Sequence, residues 1–116
     1  MKIRVERVYE MKKQPPKNTF LVDRLWPRGI TKDSLSGVVW LKDFAPSNGL
    51  RKWFHQNKEK RWKEFNKQYL TELKEKRPVA RQQIKINGGK LTLLTGVKDI
   101  EHSHIPILSK FLMSFM

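Results

Sequence analysis

Two short segments of this 116-residue chain concentrate the side chains able to do chemistry. The first, Asp23-Arg24-Leu25-Trp26-Pro27-Arg28-Gly29, sets a carboxylate beside two guanidinium groups. The planar donor fork of arginine matches a phosphate or carboxylate, so Arg24 and Arg28 form a candidate anion clamp, with Asp23 and Trp26 as further binding residues. Pro27 and Gly29 restrict the backbone between them and would hold the clamp in one shape. A structural reading stands beside it: Asp23 pairs with one of these arginines as a buried link, and Trp26 packs.

The second segment, Lys98-Asp99-Ile100-Glu101-His102-Ser103-His104, supplies one more cation and two imidazoles. An imidazole near a helix N-terminus has a depressed pKa and acts as a neutral base, while the N–H groups there attract anions. His102, His104 and Asp99 are therefore the candidate acid–base residues, and Lys98 joins the binding set. Capping and hydrogen bonding by the same side chains is the structural alternative. Two histidines with Asp99 or Glu101 lack a third firm ligand, so no metal is expected. His55, after Phe54, reads as a surface residue.

Several chemistries are excluded. The chain has no cysteine, which removes disulfides, thiolate metal sites and thiol nucleophiles together. It contains no G-x-x-x-x-G-K-[ST], G-x-S-x-G or H-E-x-x-H string, so nucleotide hydrolysis and the common hydrolase schemes lose support and no cofactor is implied. Twenty-five Lys and Arg against eleven Asp and Glu give a formal charge of +14, which favours an anionic partner. A small phosphate- or carboxylate-bearing ligand in an Arg/Lys/His crevice is the first expectation, bound or chemically transformed. Nucleic-acid binding through the basic surface, with Lys-rich helix 58–76, Arg51, Lys52 and Arg77 on phosphates, is the second. A merely lysine-rich surface is the plain alternative. The N-terminus lacks the apolar run of a signal peptide, and IPILSKFLMSFM is far shorter than the ~20 residues of a membrane span. A cytoplasmic protein without membrane contact is expected; the oligomeric state is open.

The elements that must position these loops follow from periodicity. Residues 2–9, 19–26, 37–44 and 90–97 read as strands, bounded by Pro and Gly. The run Val38-Val39-Trp40-Leu41 suggests a central strand covered on both faces. The short link between the first two strands favours an antiparallel pair. Helical stripes appear at Leu50, Trp53 and Phe54 behind Ser47 as N-cap, and at Trp62, Phe65, Tyr69 and Leu73 in 58–76. A further helix follows Pro78 until Gly88-Gly89, and a last one carries Ile105, Leu108, Leu112 and Phe115, with Ser103 as N-cap. A capped turn begins at Thr31. The expected fold is a single α/β domain over 1–116, a small three-layer sandwich with a mostly parallel sheet of about four strands and helices on both faces. In such sheets, sites form outside the carboxyl ends of the strands, where both loops fall.

The strings VDRLWPRGITKDSL, WLKDFAPSNGLRKWF, WKEFNKQYLTEL and LTLLTGVKDIEHSH, in this order, resemble the YeaO-like bacterial family, domain of unknown function 488. The likeness spans nearly the whole chain. It implies a small three-layer α/β fold in a cytoplasmic protein, with Asp23, Arg24, Trp26, Arg28, Lys98, Asp99, His102 and His104 on the family's motif positions. Thr95-Gly96 stands where an aromatic and a small residue are usual, and Pro106 where a small or β-branched one is. Longer relatives carry Cys-His-Arg where this chain has Ser103-His104-Ile105, so no cysteine chemistry transfers.

Overall fold

A computed structural model describes residues 2–84 and 89–114. Four strands, β1 (Lys2–Arg7), β2 (Thr19–Leu21), β3 (Val39–Trp40) and β4 (Lys90–Thr95), form one sheet in the order β1-β4-β2-β3. Every pairing is parallel. The antiparallel first pair is thereby corrected: β1 and β2 are not neighbours, because β4 lies between them. A short link dictates direction only when the strands it joins are hydrogen-bonded to each other.

β4 is central because it is apolar toward both faces, with Leu91 to Thr95 all buried. Its register runs from Lys2↔Lys90 to Arg7↔Thr95 on one side and from Thr19↔Thr92 to Leu21↔Leu94 on the other. The expectation of a central strand at 37–44 is also corrected. β3 is a two-residue edge strand whose Val39 and Trp40 are 50% and 36% exposed. The run is continuously apolar because its flanks turn inward to different faces: Leu41 enters one core cluster, and Val38 packs on the other. Trp40 lies edge-on to Trp26 at 5.3 Å and carries the Lys42 ammonium over its ring.

The larger core lies between one sheet face, through Phe20, Val22, Leu91 and Leu93, and four helices. These are α1 (Asn48–Gln56), α2 (Lys58–Glu75), α3 (Arg77–Gln83) and α4 (Ile105–Met113). The opposite face, through Leu21 and Leu94, is covered by the 3-10 turns Val8–Glu10 and Asp33–Leu35 and by Trp26 and Ile30. Burying each Leu or Phe side chain contributes about 1.5–3 kcal/mol. The α2 stripe meets the sheet as expected, with Phe65, Tyr69 and Leu73 buried. Phe65 stacks on Phe54 of α1 at a centroid distance of 4.1 Å.

Caps set the helix boundaries near the site. Ser47 Oγ accepts from Leu50 N at 3.3 Å and starts α1. Glu72 of α2 accepts from both Ser47 N and Ser47 Oγ, at 3.0 and 2.7 Å, which ties the start of α1 to α2. Asn57 ends α1 and caps α2 through Lys60 N. Ser103 Oγ accepts from Ile105 N at 3.1 Å, so its hydroxyl caps α4 from one position outside His104, the flanking residue. Pro106 fits the first turn, where its missing N–H is no loss. The Thr31 turn forms, with Thr31 Oγ1 accepting from Ser34 N. Gly88 and Phe115, and the Lys85-Ile86 end of the helix expected after Pro78, lie outside the described residues. Among the described residues no helix is long and apolar enough to cross a membrane.

Candidate functional site

Parallel strands end at one edge of the sheet, and there the chain after β2 meets the chain after β4. Asp23, two residues past β2, bridges them. One of its carboxylate oxygens accepts from Thr95 Oγ1 at 2.6 Å and the other from Gly96 N at 2.7 Å. Thr95 Oγ1 in turn accepts from Val97 N at 3.0 Å. The Thr95 hydroxyl, at a position where the resemblance leads one to expect an aromatic, is what Asp23 uses. A Cβ at residue 96 would lie 3.4 Å from Asp23 Oδ2 and 3.5 Å from the Tyr9 ring, so glycine fits the close approach there. The supposed Asp23–arginine link is replaced by these bonds.

Arg24 points the other way. Its Nε donates to the Pro46 carbonyl at 3.3 Å and its Nη2 to the Ala45 carbonyl at 3.1 Å, while Nη1 stands 3.8 Å from Asp43. The first loop is thus fastened to the segment that leads into α1. Tyr69, fully buried, donates to the neighbouring Phe44 carbonyl at 2.5 Å. Burial, and then the nearby Glu72 carboxylate, push the Tyr69 phenol well above its ordinary pKa, so it stays a donor.

His104 is buried behind Asp23. Its Nε2 lies 2.8 Å from the Val22 carbonyl, which only accepts, so Nε2 carries the proton and Nδ1 the lone pair of the neutral ring. Burial lowers its pKa; Asp23, 3.7 Å from Nε2, and the Val22 bond oppose this, and the net shift is downward. His102 is exposed, and its Nδ1 meets Asp99 Oδ2 at 3.0 Å. Between the imidazoles, Ser103 Oγ donates to the Ile100 carbonyl at 2.6 Å while accepting the α4 cap bond. That hydroxyl has no proton left for other acceptors.

These groups surround a cavity of about 590 Å³, within the usual range for small-molecule sites. Of the residues singled out from sequence, it brings together Asp23, Arg24, Lys98, Asp99, His102 and His104. Trp26 and Arg28 do not line it. Trp26 Nε1 donates to the Ile30 carbonyl at 2.6 Å, and its ring supports the opposite sheet face. Arg28 is exposed, and its carbonyl accepts from Tyr9 OH at 2.9 Å. The remaining wall is apolar, with Leu25, Pro46, Phe54, Phe65 and Val97.

Arg51, His55 and Lys58 also line the cavity, although the two chemistry-bearing loops of the sequence do not include them. His55 is indeed exposed, yet faces this space. Partial burial, then Lys58 and Arg51, lower its pKa. The available signal was spacing: Arg51 and His55 stand at i and i+4 on α1, one helical face. Arginines and lysines outnumber carboxylates around the cavity, which suits an anion. Among the described residues no three His, Cys, Asp or Glu side chains group to hold a metal ion.

A family profile described as the inactive DUF488-N3 subclade matches residues 2–116. The chain belongs to the DUF488 family. Within it, the uncharacterized protein YeaO of Escherichia coli is 37% identical over 115 residues, covering 98% of this chain and 99% of that one. An uncharacterized protein of Mycobacterium tuberculosis is 36% identical over 111 residues, covering 96% of this chain and 93% of its own length. No solved structure gives a significant match.

Proposed function

We propose that this DUF488 protein binds a small organic anion, a phosphate or carboxylate on an apolar body, and does not transform it. The observation that carries this reading is that Arg24, Arg51, Lys58 and Lys98 share one cavity with an apolar wall built around Phe54 and Val97. Few convergent polar groups in a largely apolar concavity are the usual make-up of a ligand site. The formal charge of +14 adds a long-range attraction.

In this reading Asp23 and Arg24 are positioning residues, holding the floor and one wall, while Lys98 and the His102–Asp99 pair meet the ligand from the rim. Binding without turnover is supported by the side chains themselves. Ser103 is engaged through its hydroxyl, and His104 has its Nε2 proton on a backbone carbonyl. With no cysteine present, the chain offers no thiol nucleophile. The subclade's description as inactive agrees. A nucleic-acid role would draw on the same charge, but the aromatic stripe of α2 is turned to the core and offers no stacking face.

Titration of the ¹⁵N-labelled protein with phenyl phosphate, benzoate and neutral benzyl alcohol tests this. The two anions are expected to move the amide signals of Gly96, Val97, Lys98 and Phe54 and to be recovered unchanged, while the alcohol has no effect. No response to either anion at millimolar concentration, or an equal response to the alcohol, would refute it.

A further inference from the structure

The cations around the cavity are not equivalent. Arg24 already donates to two backbone carbonyls and has Asp43 beside its third nitrogen. Lys98 neighbours Asp99 in sequence, and Asp99 and His102 hold each other. On the α1 side the situation is reversed. Among the described residues no ion pair joins Arg51, His55 or Lys58 to any carboxylate. Arg51 Nε is buried and has no hydrogen-bond partner, a costly state for a donor. Arg51 and Lys58 line the same cavity as His55 and lower its pKa, so two cations stand beside a neutral imidazole there. Phe54, next to His55 on α1, adds apolar surface to the same cavity.

Resting on the anion-binding reading above, we infer that Arg51, His55 and Lys58 form the subsite for the charged end of the ligand, and that this end is the dianionic phosphate of a phosphomonoester. Two permanent positive charges and an imidazole in one place match a group of charge near −2 better than a singly charged carboxylate or sulfate ester. A phosphomonoester carries ≈ −1.5 to −2 at neutral pH and offers three acceptor oxygens. One of these gives Arg51 Nε the acceptor it lacks; the Lys58 ammonium and His55 take the others. The organic part of the ligand then lies along Phe54, Pro46 and Leu25.

Calorimetry near pH 7.5 with phenyl phosphate, phenyl sulfate and inorganic phosphate separates the alternatives. Phenyl phosphate is expected to bind about tenfold or more tightly than phenyl sulfate, a difference of about 1.4 kcal/mol, and more tightly than inorganic phosphate. Arg51→Gln and Lys58→Gln should each weaken phenyl phosphate about tenfold, the effect of losing one charge-assisted contact. Lys52→Gln, on the same helix as Arg51 but outside the cavity lining, removes a charge as a control and should change affinity less than about twofold. Lys58 and His55 are exposed, so Lys58→Gln and His55→Gln remain informative even if Arg51→Gln does not fold. Equal affinity for the phosphate and sulfate esters overturns the assignment. So does unaltered phenyl phosphate binding in Lys58→Gln and His55→Gln, a result that leaves the broader anion-binding reading standing. Failure of every organic anion to bind ends both.

Discussion

Asp23→Asn keeps the shape of the side chain and removes its charge, so it tests what joins the ends of β2 and β4. The carboxylate accepts from Thr95 Oγ1 and Gly96 N at 2.6 and 2.7 Å and is largely shielded from water. An asparagine can serve only one of these partners with its oxygen. If that oxygen faces Gly96 N, the amide NH₂ meets Thr95 Oγ1, which must turn its own proton elsewhere while still accepting from Val97 N. A hydrogen bond to a charged group contributes about 1.5–3 kcal/mol, so a loss of about 2 kcal/mol is expected. Unfolding entropy of about 2.1 cal/mol/K per residue, over 116 residues, gives ~0.24 kcal/mol/K. The melting temperature should then fall by about 8 °C in a calorimetric or circular-dichroism melt at neutral pH. A fall of less than about 2 °C would show that water replaces the carboxylate at little cost, and that Asp23 does not hold the cavity floor together.

Three further outcomes follow from neighbouring contacts. Burial keeps the His104 pKa below the ordinary 6.5, so the unfolded chain takes up a proton before the native one does. The stability from this group is present above about pH 6.5 and declines as pH falls below it, by at most about 1.4 kcal/mol per pH unit; urea unfolding across about pH 5 to 8 reads the slope, which should flatten in His104→Gln. Tyr69→Phe leaves the buried Phe44 carbonyl without its donor and should cost about 1–3 kcal/mol in denaturant unfolding; parental stability would show that another donor replaces it. Arg24→Lys cannot serve the Ala45 and Pro46 carbonyls together and should lower stability by about 1–2 kcal/mol, with an unchanged unfolding midpoint counting against that wall-fastening role.

The helices were the most legible part of the sequence, because their signals are local. Ser47, three residues before the amide it caps, and the stripe Phe65, Tyr69, Leu73 each specify a helix without reference to the rest of the chain. Strand order was not legible, since nothing near residues 2–21 shows that a strand at residue 90 will separate them. Val38 to Leu41 misled for a related reason: a continuous apolar run describes two inward flanks around an exposed edge as well as it describes a buried strand. At the candidate site, both loops were placed at the correct edge by the parallel-sheet rule, but side-chain direction was not readable. Arg24 turns to backbone carbonyls and Arg28 to solvent, while Arg51, which the sequence suggests only as a nucleic-acid contact, and His55, which reads as a surface residue, turn to the cavity through the helical face they share.

The position of β4 also bears on how the molecule is made. The first strand and the second do not pair with each other; both wait for β4, about 70 to 90 residues further along the sequence. Without β4 only the short β2–β3 pair can form, and the Asp23 bridge cannot, because its acceptor and donors lie on either side of that gap. Pairings this distant in sequence favour closing the sheet after the local α1–α2 contacts have formed. Shortened versions ending before residue 90 should therefore remain open and prone to self-association, however many of the helices they retain.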